Sequence, residues 1–398
     1  MTKLLWHSNA PWAPTGYGQQ TGLFAPHIAE HYDMAISSFY GLEGAPITWE
    51  GIPVLPGIGG DFGGEYLVEH ARQHFGGDPK GGLVATLMDV WVLDPGMMSQ
   101  LNAACWVPVD HEPPPPGVVD FFLKSGAVPI TMSKFGQRQL GRLDPLYVPH
   151  GIDTDTYKPH DRKKVREQVG LPDDAFLVGM VAANKGRPSR KGFAQAFQAF
   201  RKFAESYDNA YLYLHTMVNP GIAAGENIPV LLDALGIPQD RVLIADQYRV
   251  LFDPYSHASM AKIYSSMDVL LNPAMGEGFG LTVLEAQACG VPAIVTNFSA
   301  MPEVCGAGWH VDWKPYWTGQ NSWQATPDVE DIASALEECY GLSTRRRKQL
   351  SDAARKHALG YSLERVLKQH MLPALRVAEQ RFRDRDPVTV APRLKAAA

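Results

Sequence analysis

Short apolar runs alternate with longer amphipathic ones along this chain, and the series happens twice. The first set is Lys3–His7, Met34–Phe39, Leu83–Leu87, Ala104–Val109, Val128–Met132 and Leu146–Val148. The second is Phe176–Ala182, Ala210–His215, Arg241–Ile244, Asp268–Asn272 and Pro292–Thr296. Helical patterns lie between, with Phe193, Phe197, Phe200 and Ala204 sharing one face. Strand and helix in alternation predict parallel, doubly wound sheets. A chain of 398 residues with 45% hydrophobic composition exceeds one ordinary core, so two α/β domains are expected. The polar, proline-flanked stretch Pro149–Pro172 reads as their connection. Tyr361–Phe382 reads as a long helix, and Arg383–Ala398 as a disordered tail. Ligands of such sheets bind beyond the C-terminal strand ends, and the cleft shared by two facing domains is the expected site.

The segment Gly276-Glu277-Gly278-Phe279-Gly280-Leu281-Thr282-Val283-Leu284-Glu285 carries the strongest chemical signal. Glycines ahead of a helical run leave backbone N–H groups open at a helix start, a ready site for phosphate. A glycosidase sets two carboxylates within roughly 5–10 Å across one bond. With the helix starting near Gly280, Glu285 stands about 7 Å along its axis while Glu277 stays in the loop before it. The two glutamates are therefore expected to hold different parts of one extended ligand.

A second segment, Asn184 to Gly192, follows a strand and opens the Phe193 helix. Lys185, Arg187, Arg190 and Lys191 put four cations in seven residues against the helix dipole, a conflict that a bound diphosphate would relieve. The first strand runs into Ser8–Gln20, a glycine loop and helix entry. It is neither a full GxGxxG nor a P-loop. Asp110-His111-Glu112 precedes four prolines, so His111 is a candidate sugar contact, acceptor-positioning group or base. A structural histidine is the competing reading. No GxSxG elbow supports a serine hydrolase.

The charge balance is uneven. Residues 1–150 hold seven Lys and Arg against fourteen Asp and Glu, and the rest hold 29 against 28. The net charge of -6 gives no global pull toward nucleic acid or an anionic membrane. Cys105, Cys289, Cys305 and Cys339 show no metal-ligand spacing and suggest a reduced, cytoplasmic chain. No signal peptide or membrane span is expected.

Asn272–Gly290 resembles the nucleotide-sugar signature of retaining glycosyltransferases of family 4, with their Glu-x7-Glu motif. The resemblance continues through Val291–Thr296 and Met301–Val304. Tyr147–Asp153 resembles the family's linker motif, with His150 where Asn is usual. Val178-Gly179-Met180 followed by Arg190-Lys191-Gly192 resembles its phosphate-binding segment. The family's arginine after the first glycine is absent, and Lys185 or Arg187 stands in for it. The match covers roughly residues 145–310 and is weak before them.

This resemblance implies the GT-B fold: two facing Rossmann-like domains, no required metal and a C-terminal helix crossing back. The expected divisions are 1–155 for the acceptor, 156–360 for the nucleotide sugar, and 361–398 for the crossover helix and tail. It also implies roles. Glu277 would contact the sugar hydroxyls, and Gly278, Phe279, Gly280, Leu281 and Thr282 would offer the helix entry to sugar and phosphates. Glu285 would hold the ribose hydroxyls. Lys191, with Lys185, Arg187 or Arg190, would stabilise the departing diphosphate. Gly16 would approach the phosphates, and His111 would face the sugar.

The expected activity is retaining hexosyl transfer, most simply from UDP-glucose, to a hydroxyl on a glycan, protein or small molecule. The opening residues through Gln20 and the Asp110–Pro116 run also resemble glycosyltransferases encoded by bacteriophages. DNA bearing 5-hydroxymethylcytosine is thus the alternative acceptor, with the host cytoplasm as its setting. The acidic first 150 residues argue against a broad DNA footprint. A nucleotide-sugar epimerase and a non-catalytic nucleotide-sugar binding module are the other readings. The donor base, acceptor and oligomeric state stay open.

Overall fold

The eleven apolar runs all form strands, and their pairing follows from what each must bury. In the computed structural model, which describes residues 1–219 and 225–385, the chain divides into two compact units. The first comprises Met1–Gly151, Thr318–Ser322 and the residues from Leu363. The second comprises Ile152–Trp317 and Trp323–Ser362. Most of the expected tail, residues 386–398, lies outside the described residues.

The first unit holds β1 (Lys3–Asn9), β2 (Asp33–Tyr40), β3 (Ile47–Trp49), β4 (Ile52–Leu55), β5 (Leu83–Leu87), β6 (Ala103–Val107), β7 (Val128–Thr131) and β8 (Leu146–Tyr147). They form one sheet in the order β3-β4-β2-β1-β5-β6-β7-β8, parallel except at β3 against β4. Strands β5 and β6 are buried at every position, as parallel strands covered on both faces must be. The helices that cover them begin at the C-terminal strand ends, such as Gly16–Ala29 after β1.

The second unit holds β9 (Phe176–Val181), β10 (Ala210–His215), β11 (Val242–Ile244), β12 (Val269–Asn272), β13 (Ala293–Thr296) and β14 (Gly308–Val311). Its sheet is fully parallel in the order β11-β10-β9-β12-β13-β14. Helix Phe193–Ala204 covers one face and buries Phe193, Phe197, Phe200 and Phe203 to 1% exposure or less. Each such phenylalanine contributes about 2–3 kcal/mol of burial. At β9, a Cβ on Gly179 would meet Met267 Sδ at 2.1 Å, so a larger residue there would displace the buried Met267 side chain.

Both sheets share one order. Numbered within its unit, the second sheet reads 3-2-1-4-5-6, and the first does too, with one more strand at the end, once its antiparallel edge strand β3 is set aside; this is the doubly wound Rossmann arrangement. The direction of winding reverses between β1 and β5 in the first unit and between β9 and β12 in the second.

The pattern reading missed some elements. β3, β4 and β14 are short, and β15 (Trp313–Trp317) with β16 (Trp323–Pro327) is an antiparallel hairpin outside both sheets. The stretch read as a connection carries helix Arg162–Gln168. Buried Arg166 anchors that helix, donating to Ser266 O at 2.9 Å, Ala175 O at 2.8 Å and Asp268 Oδ2 at 2.7 Å. The C-terminal helix runs from Leu363 to Arg383 but widens into a π-turn over Leu367–Met371. Among the described residues no helix is long and apolar enough to cross a membrane.

Candidate functional site

The two segments singled out by their chemistry leave the second sheet on either side of its reversal point. The basic loop Asn184–Gly192 follows β9, and the glycine-rich loop Gly276–Gly280 follows β12. Neighbouring parallel strands thus deliver both loops to one end of the sheet, where the winding leaves a crevice. The loops are also bonded directly, with Met275 N donating to Arg190 O at 2.7 Å.

Two turns aim these loops. Gly192 has φ +68, and a Cβ there would lie 2.3 Å from Pro273 O, so only glycine lets the basic loop pass over β12. Gly280 has φ +106 and caps helix Leu281–Ala288 without any side-chain hydrogen bond. Its backbone leaves the first helical N–H groups to be met by something else.

Glu277 is buried at the centre. One carboxylate oxygen pairs with Lys191 Nζ, and the other accepts from Arg190 Nη1 at 3.1 Å. Arg190 Nη1 also donates to Gly276 O at 2.7 Å. Burial pushes the Glu277 carboxyl pKa up, but the Lys191 and Arg190 charges outweigh it and hold the group below its ordinary value. Glu277 N donates to Ser299 Oγ at 3.0 Å, and Ser299 itself sits at φ +55.

Glu285 lies in the helix, also buried. Tyr264 Oη donates to its Oε2 at 2.7 Å, and Tyr157 bonds the same carboxylate. Tyr157 Oη further bonds His257 Nδ1 at 2.8 Å. Burial and the adjacent carboxylate raise the pKa of both phenols, so they remain neutral donors.

The expected residues fall into three groups. Glu277, Arg190 and Lys191 are brought together as one ion-paired cluster. Gly278, Phe279, Gly280, Leu281, Thr282 and Glu285 form the adjoining helix entry, with Phe279 packed on Tyr361 and Thr282 Oγ1 accepting from Asn272 Nδ2 at 3.2 Å. Lys185 and Arg187 lie exposed further out on the same loop, and Arg187 Nε donates to Gly225 O at 2.7 Å. Gly16 and His111 belong to the first unit. Gly16 opens its helix behind Thr15, whose Oγ1 accepts from Gly18 N at 3.0 Å. His111 is buried, its Nδ1 on Asp110 Oδ1 at 2.7 Å and its Nε2 on Thr318 Oγ1 at 3.1 Å. Both ring nitrogens are thus engaged, which differs from a base held open for substrate.

Sequence reasoning missed Tyr157, Tyr264 and Ser299. None belongs to a glycine or charge pattern; their positions follow from packing alone. Among the described residues no group of three or more His, Cys, Asp or Glu side chains has the arrangement of a metal site.

Known proteins share this architecture. The fold is that of GT-B glycosyltransferases, built on two Rossmann-like domains. Sucrose-phosphate synthase from Thermosynechococcus elongatus superposes with a TM-score of 0.70 at 17% identity, covering 96% of this chain and 100% of that one. Anabaena HepE, solved with UDP and glucose, gives 0.68 at 15% identity over 95% of this chain and 100% of that one. At these identities the likeness speaks for the fold alone.

Residues 186–341 match the family of glycosyl transferases group 1. A D-inositol 3-phosphate glycosyltransferase of Mycobacterium sp. (strain KMS) is 31% identical over 157 residues, 38% of this chain and 31% of that protein. Its counterpart in Actinosynnema mirum is 27% identical over 240 residues, 60% of this chain and 53% of that protein. The chain thus spans only about a third to a half of the curated relatives' length.

Proposed function

We propose that this chain is a retaining glycosyltransferase that moves a hexose, most simply glucose from UDP-glucose, to an acceptor hydroxyl. The observation that carries this reading is the Glu277–Lys191–Arg190 cluster beside an uncapped helix start at the reversal point of the sheet. It sets fixed positive charge and open N–H groups where a diphosphate would bind, with one carboxylate at each end of a nucleotide sugar. In this reading residues 156–360 take the donor and residues 1–155 the acceptor.

The residues act as follows. The diphosphate lies on the N–H groups that open helix Leu281–Ala288. Lys191 and Arg190 turn part of their charge from Glu277 to its oxygens. Glu277 accepts hydrogen bonds from sugar hydroxyls near the reacting carbon. Glu285, steadied by Tyr157 and Tyr264, accepts the two ribose hydroxyls. The C1–O bond to the diphosphate breaks as the acceptor oxygen attacks from the same face, and the acceptor proton passes to the departing phosphate oxygen. Preorganised cations and N–H dipoles stabilise the charge that grows on the leaving group. A single donor of this kind is worth about 10²–10³ in kcat.

The test is a thermal-shift screen of UDP, GDP and ADP sugars, followed by nucleoside diphosphate release with candidate acceptors. Stabilisation by one nucleotide sugar and release dependent on acceptor support the proposal. Epimerised nucleotide sugar without acceptor, or no nucleotide binding at all, overturns it.

A further inference from the structure

The same topological rule that locates the crevice in the second unit locates one in the first, between the ends of β1 and β5. The loops at that edge follow β1, β2, β4, β5 and β6. Residues 10–18, 40–46, 56–64, 88–96 and 108–116 contain no Lys or Arg. Six of the seven cations among residues 1–150 lie elsewhere, before strands or at the far ends of helices: Lys3, Arg72, Lys80, Lys124, Arg138 and Arg142. The seventh, Lys134, follows β7, lies 3.6 Å over the Tyr147 ring and donates to Gln137 Oε1. Six of the seven cations of this half thus lie away from that edge, and the seventh stands beyond β7, two strands from β5.

Aromatic and aliphatic surface takes their place. Trp12, Tyr40, Ile58, Phe62 and Trp91 are each between 42% and 62% exposed, all on these loops or at the end of β2. The loops that carry them adjoin, with Gly57 N donating to Leu42 O at 3.2 Å. Trp12 Nε1 donates to Gly41 O at 2.8 Å, next to Tyr40. Phe62 packs on Phe39 with ring centroids 5.8 Å apart. A Cβ on Gly63 would lie 3.0 Å from Leu93 Cδ2, which brings the Phe62 loop against the segment carrying Trp91. Carboxylates of Glu43, Asp61, Asp89 and Asp94 are interspersed.

Capping accounts for part of the acidity. Asp94 accepts from Met97 N at 2.8 Å and Asp61 from Gly63 N at 3.0 Å. It accounts neither for the absence of every cation nor for five large exposed apolar side chains. Large apolar side chains grouped on a surface mark a binding site. A phosphorylated ligand needs Arg or Lys to offset its charge, whereas carboxylates and aromatic faces suit hydroxyls and the flat apolar side of a ring.

We infer that the acceptor bound at this edge is an uncharged, hydroxyl-rich ring compound, a neutral sugar or glycoside, and not a phosphorylated one. This rests on the transferase reading for the word acceptor, but binding can be measured without transfer.

The experiment uses the full chain and saturation-transfer NMR with phenyl β-D-glucopyranoside, glucose 6-phosphate, inositol 1-phosphate and a 5-hydroxymethylcytosine oligonucleotide. The neutral glycoside is expected to bind and the phosphorylated compounds not. Trp91→Ala and Phe62→Ala should each weaken glycoside binding about tenfold while leaving UDP-sugar binding unchanged. Glu43→Lys should bring in binding of glucose 6-phosphate. Tighter binding of the phosphates or the oligonucleotide, or no glycoside binding at all, overturns the inference. Glycoside binding without any nucleotide binding would sink the transferase reading and leave this one standing.

Discussion

At the scale of single residues, the two glutamates separate by their partners. Glu277 faces cations, and Glu285 faces neutral phenols. On the proposed reading, Glu277→Gln should lower kcat at least a hundredfold, while Glu285→Gln should mainly raise the donor KM. Steady-state kinetics with a matched donor and acceptor checks both, and equal, negligible effects would count against the assignment. Tyr264→Phe keeps the packing but removes one donor to Glu285. The donor KM should rise about fivefold, and discrimination between ribose and 2′-deoxyribose nucleotides should shrink. A merely structural tyrosine would leave that discrimination intact. The glutamates with their glycines, and the cations, were each legible as a pattern in a short stretch of chain. Tyr157, Tyr264 and Ser299 were not, because each reaches the site from a distant segment.

At the scale of elements, two devices hold the site together. Gly192 lets the basic loop cross β12, so Gly192→Ala forces both a strained φ and a clash with Pro273 O. A loss of about 2–4 kcal/mol is expected in chemical denaturation, with donor binding weakened alongside. The second device is the buried carboxylate of Asp268, which ties Arg162 and Arg166 of helix Arg162–Gln168 to Arg347 of helix Thr344–Ala358. Asp268→Asn leaves three guanidinium groups without that charge and should cost about 3–5 kcal/mol. Urea midpoints check this, and a change below 1 kcal/mol would contradict it. This cluster is why residues 162–168 form a docked helix although their composition reads as a linker. Their anchor, Asp268, lies a hundred residues away and gives no local signal.

At the scale of the whole molecule, buried histidines link stability to pH. Burial lowers the pKa of His7 to about 4, even though its Nε2 donates to Phe62 O, and that of His150 to about 3, both in the first unit. Burial likewise lowers His215 to about 4 in the second. These side chains are neutral when folded and take up protons when unfolded. Their contribution is therefore fully present above about pH 6.5 and is lost as pH falls toward the folded values, at about 1.4 kcal/mol per pH unit for each. Urea denaturation between pH 7 and 4 should show the midpoint falling throughout, and hydrogen exchange should show both units opening. A midpoint flat over that range would refute it. The sequence alone determined the doubly wound class, the two-domain count and the glycine-led helix start with its two glutamates. Each of these depends on local periodicity or on the backbone freedom of glycine, which a linear pattern carries. Only the tertiary structure decided the partners: Lys191 and Arg190 on Glu277, two tyrosines on Glu285, and the cation-free aromatic edge of the first unit. Those depend on which strand ends lie side by side, and strand order is set by long-range burial that no short stretch of chain encodes.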